Sequence, residues 1–236
     1  IYCVQQRNGG ELMMELLMGR AGSGKTTAIL RRIASRESSG KRQILIVPEL
    51  ASHEYERMLA EQTGNTGSRF AEVLTFRRIA NRVFSEAGGL ADTVLTPAGR
   101  LLVLYEAARR ASDALTVYGG ATRKPDILRD LLRVLDEMKC SCVSAEDMLR
   151  AAEEAEGHLS DKLRDLGEIA MVYDTMTEEQ LPDPRDQLTR VAERLPDSTL
   201  FEHTEVYLDR FDSFNKQELE ILAYLLRQKI PVTVAL

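Results

Sequence analysis

An α/β fold is predicted: a parallel sheet flanked by helices, interrupted by an all-helical insertion. Three observations predict it. Short apolar runs alternate with helical periodicity at both ends of the 236-residue chain. One run, Gln43 to Val47, is almost continuously apolar, as a strand buried on both faces requires. From Pro97 to about Leu195, helical spacing recurs without a strand pattern. Strand–helix alternation places helices on both faces of a parallel sheet.

The elements follow in order. Leu16 to Met18 is the first strand, running into a glycine-rich turn, and Thr27 to Ser35 is a helix. Gln43 to Val47 is the second strand, ended by Pro48, with a helix over Ser52 to Gln62. Glu72 to Phe76 is the third strand, with a helix from Arg77 to Ala87 stopped by Gly88-Gly89. In the middle, Leu101, Leu104, Tyr105 and Ala108 mark one helix, and Leu128, Leu131, Leu132, Leu135 and Met138 a second. Ser144 with Asp147 has the spacing of an N-terminal capping box. Leu163, Leu166, Ile169, Tyr173 and Met176 mark another helix. Pro182 and Pro184 interrupt the pattern, and Gln187 to Leu195 resumes it. These stripes read as packing faces. Glu205 to Leu208 is the fourth strand, Gln217 to Arg227 a helix, and Pro231 to Leu236 the last strand. The implied division is a core of 1–92 with 197–236 and a helical insertion of 93–196. The absence of a starting Met and the apolar strand at the end read as a fragment of a longer chain.

Composition excludes several classes. With 44% hydrophobic and 29% charged residues, disordered, collagenous and fibrous chains are out. No apolar run approaches the roughly 18–20 residues of a membrane span, and Ile1 to Gly10 lacks a signal-peptide core. Cys3, Cys140 and Cys142 do not make a disulfide framework or a zinc site, which fits a reducing cytoplasm. His53, His158 and His203 share no spacing. The net charge of −6 argues against a free-standing nucleic-acid binder. The charge is uneven, however. Residues 1–90 carry 13 Lys/Arg against 9 Asp/Glu, or +4, and the remainder carries 18 against 28, or −10. A local polyanion site in the N-terminal part is therefore allowed.

The chemistry is concentrated in Gly19-Arg20-Ala21-Gly22-Ser23-Gly24-Lys25-Thr26, a full match to G-x-x-x-x-G-K-[ST] between a strand and a helix. Glycines in such a loop let backbone N–H groups turn toward phosphate oxygens. The following helix adds its positive end, with Thr27 in its first turn. Lys25 would reach the β- and γ-phosphates, and the Thr26 hydroxyl would bind Mg²⁺. The pattern predicts a P-loop NTPase-type sheet that takes ATP and Mg²⁺. Asp209, at the end of the fourth strand, is placed to hold Mg²⁺ through water. Enzymes that cleave the nucleotide usually follow this Asp with Glu. Here Arg210 follows, and arginine has no acceptor. Asp212 lies three residues on and points elsewhere. No catalytic residue is assigned, so binding is expected rather than turnover.

The ordered segments GRAGSGKT, QILIVPELASHEYERMLAE, EVLTFRRIANRVF, VYLDRFDSFN and PVTVAL resemble a superfamily 1 helicase motor domain. More closely, the chain is similar to the N-terminal helicase-like region of AddB (RexB), one half of the bacterial AddAB helicase–nuclease. KLRDLGEIAMVYDTM and DPRDQLTRVAERL resemble that family's helical insertion. VYLDRFDSFNKQELEIL resembles its Asp-Gly-Phe segment, with Arg210 in place of Gly. The resemblance implies a cytoplasmic bacterial protein that pairs with an AddA-type subunit and acts on DNA in break repair. It implies a helicase-like fold without motor activity. The family's nuclease domain and iron–sulfur cluster are expected in a later part of the chain, not in these residues. Thr75 and Phe76 fall where related helicases touch single-stranded DNA, and Arg77 and Arg78 form a basic helix face after them with Arg82. As the end of a buried strand, Phe76 reads first as core. Arg31, Arg32, Arg36, Lys41 and Arg42 read as a solvated face. Gln5 and Gln6 precede the loop without the pattern of an adenine reader. An active superfamily 1 motor is the alternative, told apart by residue 210. A P-loop small-molecule kinase would carry an arginine lid rather than a long helical insertion.

Overall fold

A computed structural model describes residues 1–8, 11–89, 93–120, 124–179 and 181–236. The chain divides into two compact units. One is Ile1–Leu90 with Arg190–Leu236, and the other is Ala91–Thr189.

The first unit is built on a six-stranded sheet. Its strands are β1 (Tyr2–Asn8), β2 (Glu11–Met18), β3 (Arg42–Ile46), β4 (Ala71–Leu74), β5 (Thr204–Leu208) and β6 (Val232–Ala235), in the order β1-β2-β6-β5-β3-β4. β1 pairs antiparallel with β2, and all other pairings are parallel. β3, β5 and β6 are buried along nearly their whole length, which is why their sequences do not alternate. Leu45, Val47 and Tyr207 pack with Ile29, Leu30 and Ile33 of helix α1 (Lys25–Ala34) and with Tyr55 and Leu59 of helix α2 (Ser52–Thr63). Ile44, Ile46, Val206 and Leu208 point to the opposite face by the two-residue period of a strand. Helices α3 (Phe76–Ala87) and α9 (Lys216–Arg227) complete the unit. Because β2, β3, β4 and β5 are parallel, the loops that follow them emerge at one edge of the sheet, the edge where α/β folds collect ligands.

The structure corrects three expectations. The third strand ends at Leu74, not Phe76. Thr75 is the N-cap of α3, its Oγ1 accepting from the Arg78 N–H at 3.2 Å, and Phe76 is the first helical residue. A threonine that can cap a helix competes with continuation of the strand. The first strand is longer than its apolar core, because Glu15 is buried in an ion pair with Arg32. β1 has no counterpart in the apolar pattern: it is an edge strand whose Tyr2 and Val4 are exposed.

The second unit is helical among its described residues. It contains α4 (Pro97–Arg110), α5 (Pro125–Cys140), α6 (Ala145–Glu154) and α7 (Gly157–Glu179), and α8 (Gln187–Arg194) begins within it. Its core gathers Leu104, Ala108, Leu128, Leu131, Leu135, Met138, Ile169, Tyr173 and Met176, so most of the expected stripe residues face inward. Tyr105 is the exception, at 41% exposure. The Ser144–Asp147 capping box is present, with both reciprocal bonds made. Two polar clusters hold the unit. Asp165, fully buried, accepts from the backbone N–H groups of Thr116, Val117 and Tyr118 at 2.7–2.9 Å. Arg100 is clamped between Asp136 and Asp183, and Asp183 also accepts from the Tyr173 hydroxyl at 2.6 Å.

Candidate functional site

The glycine loop leaves β2 after Met18 and enters α1 at Lys25. Gly22 and Gly24 adopt φ of 75° and 89°, the left-handed region that other L-residues resist. At Gly19 a Cβ would fall 2.6 Å from Ser23 Oγ, so the serine hydroxyl would have to turn aside. Gly24 is the N-cap of α1, so no side chain caps this helix, and its first turn carries no acidic residue. The orphan N–H donors of that turn are left for an anion. Residues 20–24 are exposed, and Lys25 and Thr26 are half-buried. The Lys25 ammonium folds back over the loop and donates to the carbonyls of Gly19 and Arg20. Open backbone donors, a helix N-terminus and a primary ammonium suit a polyphosphate. Thr27 lies beside them in the first turn of α1.

Asp209 follows β5 at the same edge and is 4% exposed. Both of its oxygens are engaged. Oδ2 accepts from the Tyr55 hydroxyl at 2.9 Å, and Oδ1 from the Arg210 N–H at 2.8 Å. The Tyr55 hydroxyl lies 3.4 Å from Thr26 Oγ1, so it links the two residues expected to share a cation. Tyr55 is 1% exposed, and burial, followed by the Asp209 charge and hydrogen bond, pushes its phenol up to about 12. It therefore stays a neutral donor. Among the described residues, no group of three His, Cys, Asp or Glu side chains is arranged to hold a metal ion. The loop fits the triphosphate expected from its sequence, whereas the Thr26–Asp209 pair has a phenol inserted between its members. Sequence reasoning missed Tyr55, because nothing in the spacing of SHEYERM marks it.

Arg210 takes φ of 70°, and its guanidinium stands 3.7 Å from Glu54. The left-handed backbone explains why a glycine suits this position. Arg210→Gly is expected to raise stability by about 0.5–1 kcal/mol, as relief of strain outweighs glycine's extra unfolded-state entropy. The shift of the urea midpoint checks it.

The basic clusters are largely committed to ion pairs. Arg77 pairs with Glu49 at 3.0 Å, Arg78 with Glu56, and Arg82 with Glu72 at 2.8 Å. Arg32 pairs with Glu15, Arg36 and Lys41 with Glu205, and Arg42 with Glu72. The Thr75 hydroxyl is buried; its oxygen accepts the cap bond from the Arg78 N–H and the group also hydrogen-bonds the Glu49 carboxylate. Phe76 is 7% exposed and packs edge-on against Phe211, with centroids 5.8 Å apart. Phe211 in turn lies 4.8 Å from Phe214. Phe76, Phe211, Pro48, Leu50 and Arg210 border a cleft of about 510 Å³. A cavity of about 790 Å³ lies between α2, β4 and α3. Neither is lined by the glycine loop. Gln5 and Gln6 fall on β1.

The family description "ADDB, N-terminal" matches residues 16–236. The chain belongs to the AddB N-terminal family. The B-type subunit of the ATP-dependent helicase/deoxyribonuclease of Listeria monocytogenes is 30% identical over 226 residues, 95% of this chain and 20% of the relative. The protein of that name from Thermoanaerobacter sp. is 34% identical over 227 residues, 94% of this chain and 20% of the relative. That from Pelotomaculum thermopropionicum is 35% identical over 233 residues, with coverages of 95% and 20%. The chain thus spans about a fifth of the length of these curated relatives. AddB membership covers the glycine loop, Tyr55, Asp209 and the helical segment alike, since all lie within the matched residues. No helix among the described residues is long and apolar enough to cross a membrane.

Proposed function

We propose that this AddB region is a nucleoside-triphosphate-binding module of a bacterial, cytoplasmic helicase–deoxyribonuclease complex, and not its motor. The observation that carries the reading is the glycine loop, with Lys25 turned across it and the uncapped start of α1 behind it. Residues 19–27 wrap the phosphates of ATP: backbone N–H groups take the oxygens, and Lys25 neutralises charge on the outer phosphates. Thr26 adds a hydroxyl. The residue after Asp209 is an arginine whose guanidinium leans toward Glu54, so no carboxylate is supplied there to activate water. The relatives are named as one lettered subunit of a larger enzyme, which supports a partner of the AddA type. The word deoxyribonuclease in that name supports DNA as the complex's substrate.

ATP titration of the full-length protein, with phosphate release followed in the same sample, tests the reading. Binding without release is expected. Turnover abolished by Lys25→Ala would make this region a motor, and no binding would refute the phosphate-loop assignment.

Any DNA contact at this edge is proposed to run through Arg77 and Arg78, with Phe76 and its aromatic neighbours supporting the surface from beneath. Both arginines are exposed, and they would exchange Glu49 and Glu56 for phosphates. In the assembled complex, changing both to Ala is expected to lower the salt dependence of single-strand binding, a slope loss of about 1.4 for two phosphates. An unchanged slope would leave the pair as a surface ion-pair set.

A further inference from the structure

The Tyr55 hydroxyl bridges Thr26 and Asp209, the two residues expected to share a nucleotide's magnesium. A magnesium ion bound at such a loop takes oxygens at about 2.0–2.1 Å and keeps several waters. Those waters are hydrogen-bond donors, so a nearby carboxylate serves them only through free acceptor positions. Each Asp209 oxygen already accepts one bond, from the Tyr55 hydroxyl to Oδ2 at 2.9 Å and from the Arg210 N–H to Oδ1 at 2.8 Å, so a magnesium water shell would have to share the carboxylate with the phenol. The phenol oxygen also sits 3.4 Å from Thr26 Oγ1, on the path from that hydroxyl to the carboxylate. Tyr55 has no room to leave. It is 1% exposed and packs in the core with Ile29, Ile33, Leu45 and Tyr207.

We infer that Tyr55 stands in for the water shell of a divalent cation, so that this site binds a nucleoside triphosphate with little help from Mg²⁺. The inference rests on the phosphate-loop reading above. Charge compensation then falls to Lys25 and the N-terminus of α1, which need no metal. The same arrangement accounts for a site built to hold nucleotide and not to cleave it: without a cation fixed between Thr26 and Asp209, nothing polarises the outer phosphate from that side. The site's ligand class is thus a free triphosphate as readily as its magnesium complex.

Calorimetric titration of the full-length protein with ATP, in excess Mg²⁺ and in excess EDTA, tests this. The two dissociation constants are expected to agree within about threefold. Tyr55→Phe keeps the ring packing and frees Oδ2, and Mg²⁺ is then expected to tighten binding by about tenfold. A wild-type affinity that falls tenfold or more in EDTA, with Lys25→Ala still abolishing binding, overturns the inference and leaves the phosphate loop intact. A Tyr55→Phe protein as indifferent to Mg²⁺ as the wild type removes Tyr55 as the cause. Absence of binding in both buffers takes down the phosphate-loop reading and this inference together. The wild-type comparison needs no variant, so a tenfold loss of affinity in EDTA overturns the inference even if Tyr55→Phe does not fold.

Discussion

Replacing Lys25 with alanine is expected to lower the proposed ATP affinity by at least about 100-fold, equivalent to some 2.7 kcal/mol. The size follows from what the side chain supplies. An ammonium is a triple donor carrying a full charge, and hydrogen bonds to a charged partner are roughly twice as strong as neutral ones. In the site, Lys25 spans the mouth of the loop, touching the Gly19 and Arg20 carbonyls. Those two carbonyls belong to an exposed turn that water satisfies once the lysine is gone, so the fold loses little. Lys25→Ala should keep the wild-type stability within about 0.5 kcal/mol. Calorimetry and urea denaturation on the same preparation separate the two effects. A large loss of stability, or an affinity within threefold of wild type, would mean that the lysine is a structural brace.

The second large effect is in the helical unit. Arg100→Leu is expected to destabilise the Ala91–Thr189 unit by about 3–5 kcal/mol, because it strands a buried carboxylate. Asp183 is 1% exposed and Arg100 6%. Burial opposes the arginine's charge, yet the hydrogen bond to Asp136 and the charge of Asp183 more than offset it and raise its pKa above the ordinary value. Removing the guanidinium leaves Asp183 with the Tyr173 hydroxyl and the Arg185 N–H, two neutral donors. The companion change Asp183→Asn, made on the Arg100→Leu background, restores part of the loss by removing the stranded charge. Urea unfolding followed by limited proteolysis of the helical segment reads both. If Arg100→Leu costs less than about 1 kcal/mol, the cluster is wetter than its burial implies.

Lys25 stands out in the bare sequence, since the loop is eight consecutive residues whose chemistry depends on backbone shape and one charge. Glycine spacing encodes that shape locally. The strand–helix alternation is legible for a related reason: β3, β5 and β6 are buried on both faces, so each carries an apolar stretch (Ile44–Ile46, Val206–Leu208, Val232 with Val234 and Ala235) despite buried polar residues beside it. The helical segment is legible through its 3.6-residue stripes, with Leu104, Leu135 and Tyr173 inside. β1 is not legible, because an edge strand with Tyr2 and Val4 exposed leaves no apolar signature. The end of β4 falls two residues before the end its pattern implies, because Thr75 and Phe76 suit a strand by propensity and a helix start by capping. Arg100 and Asp183 carry no mark at all as a pair, since each is an ordinary charged residue until the helices pack.

The sequence by itself determined the sheet's composition, the helical nature of the middle segment and the glycine loop, all of which depend on neighbours within about one turn or one strand. Tertiary structure alone decided the sheet order, the antiparallel edge and the partners of the charged groups. Tyr55 and Asp209 are 154 residues apart, and Arg100 and Asp183 are 83 apart. A hydrogen bond between such residues leaves no periodic trace in the chain. It exists only once the sheet has brought the C-terminal edges of β2, β3 and β5 together, and the helices have closed on their own core.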